Sequence, residues 1–323
     1  MCTAIAYKTN DFYFGRNLDS EISYNGNIVI TPRKYRFKFR KQKALKEHFA
    51  IIGMAIVEQD YPLYFDATNE KGLSMAGLNF SKNAVYNPLK CDKDNIASFE
   101  LIPFILGQCA CVSQAEKLLE SINISDIPFS EKYPPTELHW MISDKEKSVT
   151  LEQTKEGLFV FENKIGVLTN NPQFPIQMLN LSNFMGISAG EPENRFSKQL
   201  PIDIYSRGMG AIGLPGDLTS ASRFVRAAFT KLNSVAADSE EASVSQFFHI
   251  LNSVSQTRGC AKVGKAFEIT DYSSCCNTDK GIYYYTTYEN SQISAVDMTN
   301  ENLDSKDLII YKLINNQQIN FQN

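Results

Sequence analysis

Histidine is scarce in this chain of 323 residues: His48, His139 and His249 are the only three, and they are scattered. That weakens any site that needs an imidazole base, and with it a papain-like cysteine–histidine pair. His249 reads as mid-helix and His139 as a strand residue beside Trp140, so core or surface roles come first for both. No run of about 18 apolar residues is present, so no helical membrane span is expected. A Gly-rich phosphate loop, an internal repeat and a low-complexity linker are also missing, which argues against nucleotide folds and against two separate domains. The seven cysteines lack ligand spacing, since Cys109-x-Cys111 and the adjacent Cys275-Cys276 do not form a zinc pattern, and no metal or cofactor is expected. Their odd count, with no regular framework, reads as reduced thiols in a cytoplasmic protein. The formal charge of -4 speaks against a nucleic-acid surface. The first thirty residues mix charges with short apolar pieces and do not read as a signal peptide, so the amino end is expected to be mature once Met1 is gone.

What is present is strand, in blocks. Residues 3–7 alternate, 12–14 are aromatic, 27–31 carry Ile28, Val29 and Ile30, and 49–57 form an apolar run suited to a strand buried on both faces. The basic residues between Arg33 and Lys46 alternate with Tyr35, Phe37 and Phe39, as a strand with one wet face does. Two short strands follow over 62–67 and 72–80. Residues 98–109 then read as a helix that Pro103 kinks, and Ser113 to Glu116 as a capping box opening another. Strands return over 138–168. After a Pro-, Gly- and Asn-rich stretch come helices over 220–232, capped by Thr219 or Ser220, and over 244–254, then strands to the end. Segregated strands and helices predict an antiparallel α+β fold in which two sheets are sandwiched between helix layers, in one domain spanning 1–323.

The stretch Met1-Cys2-Thr3-Ala4 is where chemistry concentrates. Loss of Met1 leaves Cys2 with a thiol and an α-amine that ordinarily titrates at about 7.7–8.0. One residue then holds both nucleophile and base, although a small residue at position 2 is also ordinary. Arg16 is placed to favour a Cys2 thiolate and Asp19 to orient the amine, against the alternative of a surface ion pair. Asn79 ends an apolar strand, and Asn170 and Asn171 precede Pro172; each is turn chemistry or a donor for an oxyanion. Arg223 falls in the first turns of a helix, opposed by the helix dipole, so a nearby carboxylate or thiolate is expected to compensate.

Taken together, Met1-Cys2-Thr3-Ala4, Phe14-Gly15-Arg16-Asn17-Leu18-Asp19, Asn69-Glu70-Lys71-Gly72-Leu73, Ala76-Gly77-Leu78-Asn79-Phe80, Leu168-Thr169-Asn170-Asn171-Pro172, Tyr205-Ser206-Arg207-Gly208-Met209-Gly210 and Ser273-Ser274-Cys275-Cys276-Asn277 closely resemble the choloylglycine hydrolase family. Within it the chain looks like the bile salt hydrolases of intestinal bacteria, from Cys2 to the final strands. The resemblance implies a four-layer αββα N-terminal-nucleophile fold, a homotetramer, and hydrolysis of the amide joining a bile acid to glycine or taurine. It implies that Cys2 is the nucleophile and its amine the base. Arg16 and Asp19 position it, Asn79 and Asn170 serve the oxyanion, with Asn171 the alternative to Asn170, and Arg223 completes the cluster. Conjugated bile salts are the implied partners, and Leu18, Tyr24, Phe65 and Leu138 are candidates for the apolar pocket a steroid needs. Penicillin V acylases tend to carry tyrosine where this chain has Asn79, which favours the bile salt branch. Pro175 and the glycine-free Ser81-Lys82-Asn83 depart from the usual pattern and leave the amino-acid preference open. The rival readings are an acylase of the same fold, or a binding protein that keeps Met1.

Overall fold

The structure is a computed structural model that describes residues 1–323. Alternation along the strands builds its layers. In Asn27–Thr31, Ile28 and Ile30 enter one core while Val29 enters another, and all three are buried. Ile52 and Met54 likewise oppose Ile51 and Ala55, and Met141 opposes Trp140 and Ile142. Successive side chains of a strand point to opposite faces, so strands apolar on both faces must be covered on both.

The first sheet runs, edge to edge, Val167–Leu168, Cys2–Lys8, Phe12–Ser20, Ala266–Asn277, Ile282–Thr287 and Asn290–Asp297, with Ala261–Val263 paired to one end of Ala266–Asn277. The second runs Gly157–Glu162, Ser148–Thr154, Leu138–Ser143, Ser74–Asn79, Tyr61–Asn69, Ile51–Glu58, Asn27–Thr31 and Ile309–Lys312. Pairing within both sheets is antiparallel. Helices α1 (Leu101–Gln108) and α2 (Val112–Leu119) cover the outer face of the second sheet. Helix α3 (Phe174–Leu181) leads toward α4 (Ser220–Asn233) and α5 (Glu240–Asn252), and the last two cover the first sheet. The result is the expected four-layer αββα sandwich. No helix is long and apolar enough to cross a membrane.

Three local expectations are corrected. Residues 33–46 form no strand: only a Phe37–Leu45 bridge is present, yet Tyr35, Phe37 and Phe39 are buried while Arg36, Lys38 and Arg40 are exposed. Side-chain burial carries that alternation without a ladder. The Ser113 capping box does not form, because α2 starts earlier and the Asp144 carboxylate accepts from the Val112 N–H instead. Residues 98–109 do not form one helix. A 3-10 turn precedes α1, so the proline is the third helical residue, where no intrahelical N–H bond is owed. At the start of α4 the cap is Thr219, which accepts from the Ser222 N–H.

Candidate active site

The two strands Cys2–Lys8 and Phe12–Ser20 set the site by their register: Cys2 lies opposite Leu18, Thr3 opposite Asn17 and Ala4 opposite Arg16. Cross-strand partners share a face. Cys2, Leu18 and Arg16 therefore point between the sheets, and Thr3, Asn17 and Asp19 toward the helices. Gly15 is needed beside Arg16, because a Cβ there would stand 2.0 Å from the Ser274 carbonyl oxygen of the neighbouring strand.

Arg16 is buried and reaches across to the second sheet, where its Nη1 donates to Gly77 O at 2.5 Å and Phe65 O at 3.2 Å. Burial alone would lower its pKa, but Cys2, Tyr272, Asp66 and Asp19 outweigh it and raise it. Asp66 sits in the same layer, accepting from Tyr272 Oη at 2.5 Å, Tyr283 Oη at 2.6 Å and Ser274 Oγ at 3.1 Å. Burial pushes its carboxyl upward despite Arg16 and these donors.

On the helix side, Arg223 of α4 is the hub. Its Nη1 donates to Cys2 O and Thr3 Oγ1, each at 2.6 Å, its Nη2 to Asn170 Oδ1 at 2.7 Å, and its Nε to Leu218 O at 3.2 Å. Asp19 Oδ2 stands 3.9 Å from Arg223. The other oxygen, Oδ1, accepts from Thr270 Oγ1 at 2.6 Å, while Oδ2 is buried with no hydrogen-bond partner. Burial raises the Asp19 pKa, with Arg223 and Thr270 opposing. The expected compensating anion for Arg223 is thus a carboxylate close by.

Asn170 is joined directly to Cys2, whose N–H donates to Asn170 Oδ1 at 2.7 Å. Its Nδ2 donates to the Asn79 carbonyl at 2.7 Å. Asn171 points elsewhere, its Nδ2 bonding Ser81 O at 2.7 Å. Asn79 Oδ1 accepts from the Ser81 N–H at 2.9 Å, which leaves its Nδ2 uncommitted at the exposed end of the strand. The amine of Met1 donates to Asp19 O at 2.9 Å and pairs with the buried Glu268 carboxylate.

A cavity of about 260 Å³ opens at this point and touches Cys2, Arg16, Asp19 and Asn79. Leu18, Tyr24, Phe65 and Leu138 all line it, and Ile102, Phe129 and Trp140 extend its apolar wall. A larger cavity of about 530 Å³ adjoins across the Tyr24–Phe65 ring pair, whose centroids are 5.3 Å apart, but does not reach Cys2. No group of three His, Cys, Asp or Glu side chains is arranged to hold a metal ion.

The six polar residues singled out in the sequence converge on this one end of the molecule. Asp66, Thr3, Thr270 and Glu268 were missed, since the partner of each comes from a distant part of the chain. Asp66 meets the first sheet across the layers, Thr3 meets Arg223 of α4, and Thr270 and Glu268 come from a strand near the far end. Asp66 left one trace, a carboxylate inside an otherwise apolar strand pattern.

The arrangement places a thiol with its own main-chain nitrogen at the mouth of an apolar cavity, held by buried charges of both signs. Comparison with known proteins places it. The family model of linear amide C–N hydrolases, choloylglycine hydrolase family, matches residues 2–311. A bile salt hydrolase/transferase of Lactiplantibacillus plantarum is 54% identical over 315 residues, 97% of each chain. One from Clostridium perfringens is 42% identical over the full length of both. The solved conjugated bile acid hydrolase of Clostridium perfringens superposes with a TM-score of 0.93 at 41% identity, covering 100% of both chains. A penicillin V acylase from Agrobacterium tumefaciens, at 18% identity, shares the fold with a TM-score of 0.76, covering 95% of this chain and 90% of its own. The chain belongs to the choloylglycine hydrolase family of linear amide C–N hydrolases.

Proposed function

We propose that the chain hydrolyses the amide bond of glycine- or taurine-conjugated bile acids, with Cys2 as nucleophile after Met1 is removed. The observation that carries this is the coincidence of Cys2, the buried Asp19–Arg223–Asn170 web and the apolar cavity at one strand end. Removal of Met1 frees the Cys2 nitrogen as an amine, still facing Asn170 Oδ1. The unpartnered Asp19 Oδ2 is then the natural acceptor for its ammonium form. An orphaned buried oxygen costs about 1–3 kcal/mol, a cost that a donor arriving with the freed amine would offset.

In the reaction the Cys2 thiolate, favoured by Arg16, attacks the amide carbon and forms the S–C bond. The oxyanion is met by the uncommitted Asn79 Nδ2, while Asn170 holds the Asn79 carbonyl with Nδ2 and the amine with Oδ1. The C–N bond breaks as the amine passes its proton to the leaving glycine or taurine nitrogen. Water, deprotonated by the same amine, then attacks the thioester and releases the bile acid and the Cys2 thiol. Leu18, Tyr24, Phe65 and Leu138 hold the steroid body.

The same reading takes residues 1–323 as one domain in a cytoplasmic homotetramer. All seven cysteines are free thiols, which suits a reducing compartment. Met185, Phe196, Tyr205 and Ile212 stand 83%, 84%, 83% and 63% exposed in the stretch between α3 and α4, apolar side chains that another copy would cover.

Cys2→Ala should abolish release of glycine from glycocholate, by at least roughly 10⁴-fold in kcat, while the protein remains folded by circular dichroism. Wild-type turnover in that variant would sink the mechanism. Preference for penicillin V over glycocholate would move the chain to the acylase branch, and an intact mass retaining Met1 would remove the base.

A further inference from the structure

Behind the reacting end lies a buried pair that no step above uses. His139 and Glu152 are 0% and 1% exposed, on neighbouring strands of the second sheet. The imidazole makes two hydrogen bonds, and their partners dictate its protons. Nε2 lies 2.8 Å from the Thr169 carbonyl, which can only accept, so Nε2 carries hydrogen. Nδ1 lies 3.1 Å from Glu152 Oε1, and two lone-pair acceptors do not share that distance without a proton between them. Glu152 Oε1 also accepts from the Phe174 N–H at 2.9 Å. The ring stacks on Phe80, with centroids 4.2 Å apart and planes 7° from parallel.

These contacts place His139 against two segments that matter. Thr169 immediately precedes Asn170, the acceptor of the Cys2 N–H. Phe80 immediately follows Asn79, and the strand of His139 runs in register with that of Asn79, Leu138 standing opposite Asn79 and His139 opposite Leu78. We propose that the His139–Glu152 pair is a positioning pair that locks the Asn79 and Asn170 arms at a common distance from Cys2 through its shared proton. This rests on the hydrolytic reading above. It adds that His139, given a core or surface role when read from sequence, controls the Asn79 amide that meets the developing charge and the Asn170 amide that holds it.

Glu152→Gln tests this without changing shape. The single Oε1 position now either accepts from Phe174 N–H and Nδ1–H, which costs a neutral ring its Nε2 hydrogen and the bond to Thr169 O, or turns an NH₂ toward Nδ1 and abandons Phe174. Either way the lock loosens. We expect a folded protein whose kcat for glycocholate drops about 10²-fold, the cost of a misplacement near 1 Å, with KM unchanged. Alkylation of Cys2 by iodoacetamide, followed at that residue by peptide mass, should stay at the wild-type rate because it needs no held carbonyl. His139→Gln, which can still reach Thr169 O but loses Glu152, should show the same split. The proposal is overturned by full kcat in either folded variant. It is also overturned by a rise in KM alone, by loss of alkylation in step with kcat, or by failure of both variants to fold, which would make the pair merely structural. If wild type turns over no conjugate, the functional reading fails by itself. The pair is then judged from crystal structures, where Asn170 unmoved in Glu152→Gln refutes it.

Discussion

Helix α4 carries three wholly or partly buried cations, Arg223, Arg226 and Lys231, the first and last eight residues and about 12 Å apart along the helix. Arg223 and Lys231 both have a pKa lowered by burial. Arg223 sits in the first turns, where the dipole opposes it, and Lys231 in the last, where the dipole favours it. Yet the badly placed cation has the built surroundings: four acceptors within 3.2 Å and Asp19 at 3.9 Å. The well-placed one has a single carbonyl, Ile165 O, and no carboxylate within 4.0 Å. Burial and a shifted pKa therefore do not mark function on this helix. Convergence of partners on Cys2 does, since Arg226 also gathers the Ser253, Pro215 and Asp217 carbonyls without touching the site, and the Cys2 end of the strand has it while the Lys8 end does not.

Removing Arg223 should break this comparison most strongly. Arg223→Met takes from the buried Asp19 its paired cation, strips Cys2 O and Thr3 Oγ1 of the guanidinium donor, and leaves Asn170 Oδ1 with the Cys2 N–H alone. Breaking a buried pair in this way costs about 3–5 kcal/mol. A urea midpoint should fall accordingly and turnover should vanish. Arg223→Lys restores charge but not the fork that serves Cys2 O, Thr3 Oγ1 and Asn170 Oδ1 together. It should recover stability without recovering kcat. If Lys there restores both, charge alone is what the hub supplies.

Asp19→Asn should be smaller in stability and still large in rate. It removes the orphaned oxygen, so kcat should fall about 10²-fold through loss of amine orientation, measured with glycocholate at saturating concentration. The pH dependence has a sign that separates this residue from an ordinary surface carboxylate. Burial raises the Asp19 pKa. Its stabilising contribution is thus fully present below the unfolded pKa and is lost as pH rises through the folded value. Activity runs the other way, since only the carboxylate holds the ammonium. The acid limb of kcat/KM should therefore lie above the usual aspartate range. Asp19→Asn should remove that limb and flatten stability over the same window. An unchanged acid limb in Asp19→Asn would take Asp19 out of the proton inventory.

How much of this was legible in the residues divides along contact range. Strands with apolar residues on both faces, such as Ile51–Glu58, announced the layered sandwich because their period is local. Cys2, Arg16, Asp19, Asn79 and Asn170 stand in motif blocks and Arg223 at a helix start, so their meeting at one strand end could be anticipated, and the four pocket candidates, only one of them in a block, line the same cavity. Asp66 and Thr270 were not, because their partners are fixed by register: Tyr272 stands beside Leu18, and Thr270 beside Asp19, only once strands some 250 residues apart have paired. His139 was visible as a residue but not as a pair with Glu152, since a buried imidazole announces nothing until both ring nitrogens have partners. The basic stretch over 33–46 misled for a related reason: its alternation reports burial of Phe37 against His48 and Tyr61 and of Phe39 against Phe104, not a hydrogen-bonded ladder.

The smallest expected effect sharpens the comparison from its quiet side. Burial lowers the pKa of Lys231 to about 8, against about 10.4 for an unfolded lysine. Between those values the unfolded chain binds the proton and the folded one does not, so wild-type stability should rise as pH goes from about 8 to about 10.4. Below that window the charged amine is buried at a constant cost. Lys231→Met removes the cost and also the bond to Ile165 O, so the net gain at pH 7 should be about 1–2 kcal/mol. Its stability should be flat across the window in which wild type climbs, read from urea midpoints at several pH values. Turnover of glycocholate should not change, because nothing ties Lys231 to Cys2 except the helix it shares with Arg223. If Lys231→Met slowed turnover as Asp19→Asn should, both ends of α4 would feed the site, and convergence of partners would lose its value as a mark of function.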